Sequence, residues 1–150
     1  MLRRVRLAIV VAEFNQEITN KMLYTATSHA KNLNIQVKRI CQVPGTFDMP
    51  LMVEKLLNNE QIDAIVTLGA VIKGETGHDL VIANNTARLL ADLSLKYQKP
   101  VTLGITGPDM TVKQAKERII TVPKRAVEAA HKMVIRLREL DDKKGGYGRK

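Results

Sequence analysis

The chain has 150 residues, with 24 Lys and Arg against 15 Asp and Glu, a formal charge of +9 and a pI near 9.9. This length suits one domain that buries roughly 68–70% of its unfolded surface and needs no disulfide or metal for stability. The single cysteine excludes an internal disulfide. No leader-like segment or long apolar span is found, so we expect a cytoplasmic protein without membrane contact. The cations at the chain ends and the mixed charges between them favour a small anionic substrate over nucleic acid.

Apolar runs predict four strands. Val5 to Ala12 and Ala64 to Ile72 are nearly continuous apolar runs, which is typical of central parallel strands covered on both faces. Ile35 to Gln42 alternates less cleanly and carries two cations, as an edge strand does. Val101 to Ile105 is a shorter apolar run and predicts the fourth strand.

Helices alternate with these strands. The predicted helices are Ile18 to Leu33, Pro50 to Leu57, Leu80 to Leu95, Thr111 to Arg118 and Thr121 to Leu140. Asn15 and Thr19 are the N-cap candidates of the first helix, and Pro123 suits the first turn of the last. The alternation predicts an α/β domain over residues 1–140, a three-layer α/β/α sandwich around a four-stranded parallel sheet. Residues 141–150 are predicted to form a polar, disordered tail.

The strand ends carry the candidate site, because ligands of open parallel sheets bind beyond the carboxyl ends of the strands. Four segments should therefore share one edge: Glu13–Asn15, Val43–Asp48, Lys73–His78 and Thr106–Pro108. The glycines of the third segment free backbone N–H groups to approach an anion, and the following helix adds the positive end of its dipole. His78 lies beside this turn and is a candidate acid or base.

The chain's two phenylalanines, Phe14 and Phe47, both fall in these segments. Phe14 suits stacking on a flat heterocycle, and core packing suits it equally from the spacing alone. Asn15 offers a ligand both a donor and an acceptor.

The dipeptide Pro44-Gly45 predicts a tight turn with glycine at its third position. This turn would present the N–H groups of Thr46 and Phe47 to a ligand. The carboxylate of Asp48 would then either bind that ligand or only cap the following helix.

Two classes of cofactor find no support in the sequence. No second His or Cys lies at metal-ligand spacing, so we expect no metal. The glycine spacing does not match the dinucleotide fingerprint and no Walker motif occurs, so we expect no nucleotide cofactor.

Five blocks, in order and over nearly the whole chain, resemble the 6,7-dimethyl-8-ribityllumazine synthases, the archaeal members most closely. They are Phe14-Asn15, Val43–Asp48, Gly69–His78, Gly104–Thr106 and Gln114–Arg118, and the third is highly specific. The resemblance implies a flavodoxin-like fold and the penultimate step of riboflavin synthesis. In that step 5-amino-6-(D-ribitylamino)uracil and 3,4-dihydroxy-2-butanone 4-phosphate condense to the lumazine, releasing phosphate and water without a cofactor.

The resemblance also implies residue roles. Residues holding the ring and ribityl chain would be Phe14, Asn15, Thr46, Phe47, Asp48, Val71 and Ile72, with Phe14 stacked on the pyrimidine. Residues around the phosphate would be Gly74, Glu75, Thr76 and Arg118. His78 would move protons during imine formation and phosphate elimination.

The family's site lies between adjacent subunits of a pentamer, and twelve pentamers can close into a shell. This chain departs from the family in two places. Leu103 replaces a phenylalanine that a neighbouring subunit places over the ring in many members. The segment from Arg118 to Pro123 is shorter than the linker of many members, which leaves open whether Lys124 or Arg125 takes the place of a family lysine. Two other functions remain open: the related archaeal-type riboflavin synthase, against which the glycine turn argues, and a non-catalytic flavin-binding module.

Overall fold

The computed structural model describes residues 3–147, with side chains to residue 142. Its strands are β1 (Arg6–Ala12), β2 (Gln36–Val43), β3 (Ala64–Ile72) and β4 (Val101–Met110). Its helices are α1 (Gln16–Asn32), α2 (Met49–Leu57), α3 (His78–Tyr97), α4 (Val112–Glu117) and α5 (Thr121–Tyr147), and a 3-10 turn, Thr46–Asp48, precedes α2. All the predicted strands and helices are therefore confirmed.

The sheet has the order β2-β1-β3-β4 and all its pairs are parallel. Helices α1 and α5 cover one face, and α2 and α3 cover the other. The predicted three-layer sandwich, the central position of β1 and β3 and the edge position of β2 are confirmed, and the order agrees with a flavodoxin-like fold. Helix α1, which follows β1, lies on one face of the sheet, and α3, which follows β3, lies on the other. A crevice therefore opens between the carboxyl ends of these two strands.

Alternation along β1 divides the core between the two faces. Leu7, Ile9 and Val11 pack toward α1 and α5, while Ala8 and Val10 pack toward α2 and α3. Since both faces are covered, the strand is apolar throughout rather than alternating with polar residues.

Strand β4 is longer than the sequence predicts. Residues 107–109 stand opposite the single Val71, after which pairing resumes between Ile72 and Met110. The prediction that Thr106–Pro108 follows the strand is therefore wrong: that segment lies inside β4. Residues 107–109 form a bulge within the strand, because pairing continues beyond them and Lys73 N–H donates to the Met110 carbonyl at 2.8 Å.

The last helix is also longer than predicted. It continues to Tyr147, beyond the predicted start of the tail at residue 141, since neither proline nor a cap residue ends it there. Residues 148–150 of the predicted tail lie outside the described residues. Within residues 3–147, no helix is long and apolar enough to span a membrane.

A cluster of ion pairs around the carboxylate of Asp63 lies at the end of the sheet opposite the crevice. Asp63 accepts hydrogen bonds from the Arg6 backbone N–H at 2.8 Å and from Arg6 Nε at 3.1 Å, and Arg138 adds a third contact at 3.3 Å. Burial raises the pKa of Asp63, but the hydrogen bonds from Arg6 outweigh this effect and hold that pKa below its usual value. Asp63 therefore ties β3 to the start of β1 and to α5.

We expect Asp63→Asn to lower the free energy of unfolding by about 1.5–3 kcal/mol at pH 7, because charge-assisted hydrogen bonds are lost. A carboxyl with a lowered folded pKa stabilises above its unfolded pKa and loses this contribution as pH falls through the folded pKa. The difference between variant and wild type should thus be constant above about pH 5 and shrink below it. Urea denaturation across this range measures it, with Asp92→Asn at an exposed i,i+4 pair as the control. An equal difference at all pH values would contradict the ion-pair account.

Candidate functional site

A cleft of about 470 Å³ lies at the carboxyl ends of β1 and β3. This volume is typical of small-molecule sites. The cleft brings together residues from the strand-end segments that the sequence singled out: Phe14, Asn15, Thr46, Phe47, Val71, Ile72, Gly74, Thr76 and His78. Four further residues line it to which the sequence analysis gave no role in binding or catalysis: Gly45, Ala70, Asp79 and Ile82.

Both phenylalanines line the cleft and are exposed to solvent. The side chain of Phe14 is 73% exposed and that of Phe47 is 63% exposed. Core packing, the alternative for Phe14, is therefore wrong. The Phe14 N–H donates to the Pro44 carbonyl at 3.0 Å, which joins the segments after β1 and β2. The two rings offer stacking surfaces for a flat ligand.

Asn15 ties the ends of β1 and β3 together. Its Nδ2 donates to the Ala70 carbonyl at 2.8 Å, and its backbone has the left-handed φ of 63°. It occupies the N-cap position of α1, as predicted, but its side chain does not cap the helix, and Thr19 lies inside α1. The amide still has a second donor hydrogen and an oxygen with which to meet a ligand.

The Thr46–Asp48 turn sits against β3 because residue 69 is glycine. A Cβ on Gly69 would lie 2.8 Å from Thr46 Oγ1 and 3.3 Å from Met49 Cε. A larger residue at this position would force the Thr46 side chain to move. Gly69 therefore allows the turn to pack closely against β3.

The turn itself differs from the predicted one. Gly45 is extended, with φ −142° and ψ 171°, so the tight turn with a left-handed glycine after Pro44 is not formed. Instead, Asp48 Oδ2 accepts the Gly45 N–H at 2.9 Å. Asp48 thus caps its own turn and does not line the cleft in this chain.

The glycine loop after β3 is open to the cleft. Gly77 has φ 68° and is the N-cap of α3, a conformation that favours glycine. His78 is the first residue of α3 and is exposed. The loop therefore offers an anion the free N–H groups and dipole of a long helix, with an imidazole beside them.

Asp79 is a polar site residue that the sequence analysis did not identify. It is 5% exposed, lines the cleft and accepts the Asp109 N–H through Oδ2 at 2.9 Å. An acidic residue in the first turn of a helix is common for dipole reasons, so the only sequence signal was its place after His78. Ile82, one turn later, adds an apolar wall.

Six predicted site residues do not line this cleft: Asp48, Glu75, Leu103, Arg118, Lys124 and Arg125. Arg118 ends α4, where its guanidinium donates to the Gln114 carbonyl at 3.0 Å. Helix α4 packs through Ala115 against α1, on the face of the sheet opposite α3. Within the described part of the chain, the cleft is thus lined by no lysine or arginine.

Metal binding finds no site in the same part of the chain. No group of three or more His, Cys, Asp or Glu side chains is arranged to hold an ion among the residues described.

Comparison with known proteins identifies the family of the chain. The family model of 6,7-dimethyl-8-ribityllumazine synthase matches residues 4–139. Proteins of that name from Saccharolobus solfataricus (strain P2) and Metallosphaera sedula are both 58% identical to the chain, over 95% and 91% of it and over 92% and 90% of their own lengths. The Methanocaldococcus jannaschii protein of that name is 54% identical over 95% of the chain and 100% of its own length. The chain therefore belongs to the 6,7-dimethyl-8-ribityllumazine synthase family.

Proposed function

We propose that the protein is the riboflavin-pathway transferase that condenses 5-amino-6-(D-ribitylamino)uracil with 3,4-dihydroxy-2-butanone 4-phosphate. The products are 6,7-dimethyl-8-ribityllumazine, phosphate and water. One observation carries this proposal: exposed phenyl rings, a glycine loop at a helix N-terminus and a histidine meet in one cleft. Family membership and 54–58% identity over most of the chain support it.

The uracil ring and ribityl chain bind at the β1 side of the cleft. The exposure of Phe14 supports stacking of its ring on the pyrimidine. The amide of Asn15 and the Thr46–Phe47 turn supply polar contacts to the ribityl hydroxyls. Val71 and Ile72, at the end of β3, contact the uracil edge.

The phosphate of the second substrate binds at the glycine loop. Gly74 and Thr76 line the cleft just before α3, whose N-terminal N–H groups and dipole favour negative charge. The exposed side chain of Glu75 repels a phosphate, so we assign its backbone rather than its carboxylate to this contact.

His78 moves protons beside this phosphate. The uracil amine attacks the butanone carbonyl, and formation of the imine releases water. Elimination then removes a carbon-bound proton and breaks the C–O bond to phosphate, and the electron pair of that bond leaves with the phosphate. The ribityl-substituted amine then attacks the remaining carbonyl, and this ring closure releases a second water. A neighbouring imidazole can deliver and remove the protons of these steps. Holding two substrates in register contributes further, and oriented encounters are worth about 7–11 kcal/mol.

We also propose that the working enzyme is a cytoplasmic homopentamer, or twelve pentamers in a shell. Among the described residues no lysine or arginine lines the cleft to meet the phosphate, and Arg118 lies on the far face of the sheet. Large apolar side chains on α3 are exposed: Leu80, Val81, Leu89 and Leu95. Such a surface is typical of an interface, and a neighbour docked there can bring cations to the cleft. We assign Arg118, Leu103 and either Lys124 or Arg125 to this neighbour.

We expect lumazine to form only when both substrates are present, with release of inorganic phosphate. An absorbance assay for the lumazine, run beside sedimentation velocity, measures activity and assembly together. Each substrate alone is the control. Riboflavin formed from lumazine alone would replace the proposal with a riboflavin synthase, and tight binding of flavin without turnover would replace it with a binding module.

A further inference from the structure

Both ends of the glycine loop are attached to the same bend of β4. At the start of the loop, Lys73 N–H donates to the Met110 carbonyl at 2.8 Å, and Lys73 Nζ lies 3.0 Å from Asp109 Oδ1. Beyond its end, Asp79 Oδ2 accepts the Asp109 N–H at 2.9 Å. Residues 74–76, between these attachments, are exposed. The bend therefore fixes the distance that the loop has to span.

The two attachments of Asp109 differ in strength. The ion pair with Lys73 is exposed, at 62% and 71% of the two side chains, and such pairs are worth little. The carboxylate of Asp79 is buried, and burial strengthens its charge-assisted hydrogen bond to the Asp109 N–H. The positive end of the α3 dipole further stabilises this buried charge. The hydrogen bond to Asp79 is therefore the stronger of the two contacts that Asp109 makes with the loop.

The bulge in β4 is what delivers the Asp109 amide to Asp79. Gly107 has φ 110°, and a Cβ there would collide with the carbonyl of Val71. Asp109 has φ 58°, in the left-handed region that aspartate tolerates better than most residues. The chain accepts two unusual backbone conformations at this bend, and the Asp109 N–H turns toward α3 as a result.

We propose that Asp79 is a positioning residue for this reaction. By holding Asp109, it fixes the ends of the glycine loop and so places the loop N–H groups and His78 relative to the phosphate of the substrate. The kinetic effect expected of this role rests on the proposed function. The structural effect, which is to hold the ends of the loop, does not. Without the hydrogen bond between Asp79 and Asp109, part of the free energy of phosphate binding has to order the loop. The affinity for the butanone phosphate therefore falls, while the affinity for the uracil substrate does not change.

We expect Asp79→Ala to raise the KM for the butanone phosphate about tenfold and to lower kcat, because small misplacements of reacting groups slow chemistry. The KM for the uracil substrate should stay near that of the wild type. Asp79→Asn keeps an oxygen that accepts the Asp109 N–H, so it should restore both constants to within about twofold. Asp92→Asn, farther along the same helix, is the control.

A measurement without substrate tests the same role. Amide hydrogen exchange at Lys73 and Asp109, whose N–H groups donate to the Met110 carbonyl and to Asp79 Oδ2, should be faster in Asp79→Ala than in wild type, and Asp79→Asn should restore their protection. The proposal is overturned if exchange is unchanged in Asp79→Ala, or if both KM values rise equally. If the wild-type protein makes no lumazine, the proposed function fails, while the exchange experiment still decides whether Asp79 holds the loop.

Discussion

Replacing His78 with alanine is expected to slow lumazine formation by about 10²–10⁴-fold, the usual contribution of a general acid or base. Binding of a ribitylated ring should be nearly unchanged, since the stacking and ribityl contacts lie on the β1 side of the cleft. Steady-state kinetics with both substrates and titration with a non-reacting ribityl analogue separate the two effects.

A histidine away from the cleft provides the matched control. His131 lies on α5 and does not line the cleft, so His131→Ala should keep the wild-type kcat. If His78→Ala also kept the wild-type kcat, proton transfer by this side chain would be excluded and orientation of the substrates would account for the rate.

Arg118→Ala is expected to raise the KM for the butanone phosphate about 10- to 100-fold, which corresponds to the loss of about 1.5–3 kcal/mol from hydrogen bonds to a charged group. The KM for the uracil should change much less, because that substrate carries no phosphate. Lys124→Ala and Arg125→Ala, measured beside it, decide which of these two cations also serves the site. Equal increases for both substrates would remove Arg118 from the phosphate site.

Mixed assemblies test whether Arg118 acts on a neighbour's cleft. Co-expressed His78→Ala and Arg118→Ala subunits should recover activity, because some interfaces pair an intact His78 with an intact Arg118 of the adjacent chain. For random mixing in equal amounts, about a quarter of the sites in a ring are intact. Activity no higher than that of the two single variants would show that both residues act within one chain, and the intersubunit proposal would fail.

Local patterns in the sequence were sufficient for the strands and helices. β1 and β3 were predicted from continuous apolar runs, which need no partner to be recognised. The glycine loop, both phenylalanines and His78 were placed at one edge by a rule about parallel sheets, and the cleft brings them together. These predictions succeeded because each depends on residues close together in the chain.

Two wrong predictions have different causes. Thr106–Pro108 was predicted to follow the fourth strand, yet pairing of Met110 with the distant Ile72 makes residues 107–109 a bulge within β4. The extended Gly45 goes with a local contact, the Asp48 cap three residues later, and no sequence pattern separates that arrangement from a tight turn. The first error needed a contact between distant residues, and the second needed the position of one side chain.

The sequence by itself determined the fold class, the family and the edge of the sheet where the site lies. Hydrophobic periodicity and glycine spacing are local properties, and the family's motif is a continuous run of residues. Only the tertiary structure decided that Phe14 is exposed, that Asn15 joins two strands, that Arg118 lies away from the cleft and that Asp79 holds Asp109. Each of these facts depends on how segments far apart in the chain approach one another, and packing of the whole sheet and its helices sets that approach.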